Sequence, residues 1–75
     1  MMKYVIADAG LALEHGFRAI GHKTKAGLII LNEREIMIKP SLSGTLDERA
    51  AQINGKVMTN AEVDIETNKG GWKYE

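Results

Sequence analysis

The residues best suited to chemistry are few. His15 and His22, the only histidines, follow Asp8 at two successive intervals of seven. Histidine and carboxylate side chains are common zinc ligands, and histidine titrates near neutral pH. On one continuous helix, groups seven apart share a face but lie about 10.5 Å apart along the axis. Ligands of one ion sit about 2 Å from it, so this spacing cannot form a shared metal site. Solvent-facing or capping histidines near turns account for the pattern. His15, directly before Gly16, suits a helix C-terminus as a cation. No metal or cofactor is expected.

Other catalytic patterns are absent from the sequence. Serine occurs only as Ser41 and Ser43, with no histidine nearby in sequence and no G-x-S-x-G elbow. Gly10, Gly16 and Gly21 follow a first apolar run but match neither G-x-G-x-x-G nor the phosphate-loop pattern. Turn and cap duty explains them. Glu62, Asp64 and Glu66 alternate, as on the solvated face of a strand. The expectation is a protein without enzymatic activity.

Two binding readings remain. Arg18, His22, Lys23 and Lys25 could form a basic sheet end, with Phe17 available for stacking on nucleic acid. Ten basic and ten acidic residues cancel, which opposes this reading, and lysines at sheet edges also deter aggregation. The nucleic-acid contact through Arg18, Lys23 and Lys25 is therefore the alternative. Trp72 and Tyr74, two of only four aromatic residues, stand near the end of the chain. Trp72 could cover the sheet or anchor a partner.

The elements that must position these residues can be read from periodicity and punctuation. Lys3–Ala7 is β-rich and reads as a strand. Asp8 then sits where an N-cap would, opening a two-turn helix over residues 9–15 that stops at Gly16. A longer helix to Ile20 would use Leu13, Phe17 and Ile20, but Gly16 and Gly21 oppose it. A strand over Phe17–Lys23, turning through Thr24-Lys25-Ala26-Gly27, is preferred. Leu28-Ile29-Ile30-Leu31 and Ile36-Met37-Ile38 read as two paired strands about the charged turn Glu33-Arg34-Glu35, the second ending at Pro40.

Thr45 and Glu48 form a T-x-x-E capping box, and Leu46, Ala50 and Ile53 make one helical face ending at Asn54-Gly55. From Lys56 the period becomes two. Val57, Thr59, Ala61, Val63 and Ile65 share one face of a long strand, with a bend expected near Thr59-Asn60. Asn68-Lys69-Gly70-Gly71 is a turn, and Trp72-Lys73-Tyr74 a short last strand.

The fold class that follows is α+β: one small domain over residues 1–75, with a mainly antiparallel sheet of about five strands. The expected order is β-α-β-β-β-α-β-β, with one or two short helices on one face. Seventy-five residues supply a small core, and cysteine is absent, which excludes disulfides and thiolate metal sites. Burial against a second copy is the remaining supplement, so a homodimer is expected. Leu28-Ile29-Ile30-Leu31 has no polar face and needs cover on both sides. Leu28, Ile30, Trp72 and Tyr74 are therefore the candidate interface, by edge pairing or packing of the tail. Asp8 interrupts the N-terminal apolar run too early for a secretion signal, and no stretch is long enough to span a membrane. A cytoplasmic module acting through protein contacts is the expectation.

Overall fold

Three strands of this protein end on the residue that caps the next helix. The computed structural model describes residues 2–75. Strand β1 (Lys3–Asp8) passes directly into helix α1 (Ala9–Glu14), and Asp8 Oδ1 accepts the Leu11 N–H at 2.9 Å. Strands β2 (Lys23–Lys25) and β3 (Leu28–Asn32) follow, and β3 passes into α2 (Glu33–Met37), with Asn32 Oδ1 accepting the Glu35 N–H at 2.9 Å. After α3 (Leu46–Gln52), β4 (Lys56–Thr59) passes into α4 (Asn60–Asn68), capped by Thr59; β5 (Lys73–Tyr74) is last. A side-chain acceptor at a strand end satisfies a free helical N–H, so strand and helix join without a loop.

The five strands form one open antiparallel sheet in the order β4-β1-β3-β2-β5. Lys25 pairs with Leu28 across a two-residue turn in which Ala26 and Gly27 both have positive φ, 47° and 84°. That is the turn geometry whose twist matches paired strands, and Gly27 enters it without strain.

The register sorts the sheet into two faces. Val5 lies opposite Leu31 and Ala7 opposite Ile29, and these four pack with Ala12, Phe17, Ile36, Leu42, Ala50 and Ile53 into the main core. α1, α2 and α3 supply its outer layer. Arg49 of α3 closes the connector after α2, donating to the Leu42 carbonyl at 2.9 Å and the Gly44 carbonyl at 2.7 Å. The opposite face carries Tyr4, Ile6, Leu28 and Ile30 by alternation from the same register. There α4 lies against β1 and β4, and its Val63 is buried.

The α+β class and the antiparallel five-stranded sheet agree with the sequence reading, as do the Asp8 and Thr45 caps. Three elements differ. Ile36-Met37-Ile38 is not a strand, and Glu33-Arg34-Glu35 is not a turn: Asn32 nucleates α2 instead, with Glu33 and Glu35 in its first turn. Phe17–Lys23 is not a strand; Gly16 and Gly21, both at φ 88°, turn the chain twice, and only Lys23 joins the sheet. The long strand from Lys56 stops at Thr59, at the expected bend. Thr59 and Glu62 form a second complete capping box that converts the rest into α4. The order is thus β-α-β-β-α-α-β-α-β, with four helices on both faces rather than one or two on one.

The two capping boxes make the helices acid-sensitive. Backbone N–H donation from Thr45, then its hydroxyl, holds the Glu48 carboxyl below the ordinary value of 4.5, and Thr59 does the same for Glu62. A folded value below the unfolded one gives stability that is present above pH 4.5 and is lost as pH falls through the folded value. Helical circular dichroism should therefore decline on acidification below that pH. A Glu48→Gln/Glu62→Gln variant should lose part of this acid sensitivity. An unchanged acid transition in the variant would remove the boxes as its cause.

Candidate interaction surface

The segment between α1 and β2 is held to the body by buried and charged anchors. Phe17 is buried in the core, and its N–H donates to the Ala12 carbonyl at 2.9 Å. Lys39 Nζ lies 4.5 Å from the Phe17 ring centroid and donates to the Gly16 carbonyl at 3.3 Å. His22 fixes the far end. Its Nδ1 is 2.6 Å from the Arg18 carbonyl oxygen, and its Nε2 is 2.5 Å from Glu35 Oε1. A carbonyl and a carboxylate both accept, so both bonds form together when the ring carries both protons. In this arrangement His22 pins the segment through both ring nitrogens, one to the Arg18 carbonyl and one to Glu35 of α2.

These anchors leave an apolar surface in solvent. Ile20 is 77% exposed, Ile38 73%, Met2 44% and Met37 40%. Ile20 and Ile38 line a groove of about 350 Å³ whose other walls include Phe17 and Pro40. Ile38 also joins Met37 and Met2 around an adjoining hollow of about 380 Å³, so the surface is continuous. Its rim carries both signs of charge: Arg18 and Lys39 at one side, Glu33 and Arg34 at the other. The helical form of α2 creates this surface. It buries Ile36 completely and turns Ile38 outward.

The residues singled out by sequence are distributed as follows. Leu28 and Ile30 lie on the α4 face of the sheet, where Leu28 is half-exposed and Ile30 is buried. Tyr74 pairs with Lys23 and is exposed, while Trp72 is half-buried with Lys25 Nζ 5.9 Å from its ring centroid. The Trp72 Nε1 donor is buried and has no partner among the described residues. Lys23 and Lys25 share strand β2, but Arg18 lines the apolar groove beyond the His22–Glu35 pair.

One juxtaposition has no signal in the sequence. His15 Nδ1 and Ser41 Oγ, 26 residues apart, come within 2.9 Å. His15 Nε2 has no hydrogen-bond partner among the described residues, so the third group that orients a base beside a nucleophile is missing. Among the described residues, no three histidine or carboxylate side chains are placed to hold a metal ion. No helix among them is long and apolar enough to cross a membrane.

The exposed groove depends on Ile36–Ile38 being the end of a helix rather than a strand. The signal that could have exposed it is N-x-x-E at Asn32–Glu35, the same spacing as the box at Thr45–Glu48. In the fold Asn32 caps α2, but Glu35 turns away to His22. No protein-family model matches the chain, and none of the curated proteins or solved structures is significantly similar to it.

Proposed function

We propose that this protein is a noncatalytic module that acts through protein–protein contacts and self-associates as a homodimer. The observation that carries this reading is the continuous apolar surface of Ile20, Ile38, Met37 and Met2. Contiguous exposed patches of large apolar side chains mark interaction sites more often than scattered ones do. A second copy is the occupant its chemistry fits. A two-fold contact places one patch on itself, and a rim holding Glu33 and Arg34 side by side is self-complementary across such an axis. The chain's formal net charge is zero, so no long-range repulsion keeps two copies apart. The accessible surface is 4756 Å². A standard interface covers about 800 Å² per partner, roughly a sixth of that area.

Sedimentation equilibrium over a wide concentration range tests the proposal. The native chain should dimerise. An Ile20→Glu/Ile38→Glu variant, altered only at exposed positions, should dissociate at least about tenfold more readily while keeping its folded spectrum. A native chain that stays monomeric at several hundred micromolar defeats the proposal. Tyr74→Lys is the companion variant: if it alone dissociates the dimer, the contact is the sheet face of Leu28, Trp72 and Tyr74.

A further inference from the structure

A second concavity, of about 300 Å³, opens at the end of the sheet where β1 begins and β3 ends, on the far side of the His22–Glu35 pair. Its floor is apolar: Ile30 of β3 and Val63 of α4 are each 8% exposed. Tyr4 and Tyr74 also line it. Two formal charges face it without a partner. Lys23 of β2 and Asp64 of α4 are exposed, and neither side chain makes an ion pair among the described residues. His22 and Glu35, which also line it, contact each other.

Lys23 and Asp64 belong to opposite walls. β3 separates β2 from β1, and α4 leans on β1 and β4. The two side chains make no ion pair with each other. An α-amino acid carries an amine and a carboxylate on one carbon, so one small ligand can make a charge-assisted hydrogen bond to each group. One free cation opposite one free anion selects a ligand carrying both charges rather than a phosphate or a polyamine. A floor of Ile30 and Val63 between two tyrosines selects an apolar or aromatic side chain. The volume is at the lower limit of small-molecule sites, suited to one residue rather than a nucleotide.

We infer that this cleft binds a free α-amino acid with an apolar or aromatic side chain, its carboxylate on Lys23 and its amine on Asp64. The site lies across the His22–Glu35 ridge from the surface proposed for self-association.

Heteronuclear NMR titration of the full chain with L-phenylalanine and L-leucine tests it. Saturable shifts are expected at Tyr4, Ile30, Val63 and Tyr74. Phenethylamine, which lacks the carboxylate, and 3-phenylpropionate, which lacks the amine, should each bind about tenfold more weakly. Lys23→Met and Asp64→Asn, both at exposed positions, should weaken L-phenylalanine by a similar factor with the native spectrum retained. The inference is overturned if neither amino acid gives saturable shifts up to its solubility limit. It is also overturned if the charge-deleted analogues bind as well, or if the shifts map to the Ile20–Ile38 groove.

Discussion

Ile36→Ala should lower folding stability by about 3 kcal/mol, whereas Ile38→Ala, two residues on, should change it by less than about 0.5 kcal/mol. Ile36 is fully buried against the sheet, and Ile38 is 73% exposed. Truncating a buried isoleucine loses its transfer free energy and leaves a cavity that a rigid core fills only in part. A domain of this size has only a few kcal/mol of net stability, and each one is worth about 4–8 °C in Tm. Ile36→Ala should therefore be largely unfolded on modest warming or at low urea, while Ile38→Ala unfolds with the native midpoint. The contrast is diagnostic of α2. An extended Ile36–Ile38 segment would place both side chains on one face, and equal losses at the two positions would rule the helix out.

Gly55→Ala is expected to destabilise by about 2–3 kcal/mol, a large effect for one added methyl group. Helix α3 ends in a Schellman motif. Asn54 takes the left-handed conformation at φ 53°, its N–H donates to Ala51, and the Gly55 N–H donates to the Ala50 carbonyl at 2.8 Å. Gly55 itself has no positive φ; its requirement is space. A Cβ there would lie 2.5 Å from Val5 Cγ1, 3.1 Å from Ala7 Cβ and 3.2 Å from the Ile6 carbonyl oxygen. Val5 and Ala7 are fully buried and Ile6 presents backbone, so none can move aside cheaply. The close approach is what lets α3 turn straight into β4 beside β1. Asn54→Ala, which forfeits only left-handed tolerance, should cost about 1–2 kcal/mol. Chemical denaturation of both variants checks the order, and a Gly55→Ala protein as stable as the native chain would refute the packing account.

Both cases show where reading the chain in one dimension stops. Asn54-Gly55 announces a helix end, yet only the neighbouring strand reveals that asparagine supplies the φ and glycine the clearance. Ile36-Met37-Ile38 is three residues long, and over that length periods of 2 and 3.6 are indistinguishable. Alternation from Val57 to Ile65 was a better imitation of a strand. In the fold Val63 is buried, while Ile65 is 63% exposed, because the capping box at Thr59 starts a helix that the alternation does not encode.

The candidate surfaces were less legible than the fold. Leu28 and Ile30 belong to the apolar run without a polar face and Tyr74 to the aromatic tail, and the sheet register gathers these three on one face. α4 covers part of that face, however, so Ile30 is buried within its own chain. Burial on both sides therefore needs no second copy at that position.

What the sequence by itself determined is local: Asp8 and Thr45 as helix caps, the tight turn before Leu28, the absence of thiol chemistry and a balanced charge. Each depends on a few adjacent residues whose backbone donors, acceptors and φ preferences are fixed by residue type. The tertiary structure alone decided which distant residues meet. Ile20 reaches Ile38, His22 reaches Glu35, and Lys23 and Asp64, 41 residues apart, line one cleft of a sheet that runs β4-β1-β3-β2-β5. That order is chosen by burial of one whole sheet face, a property of all five strands together that no short stretch of sequence contains.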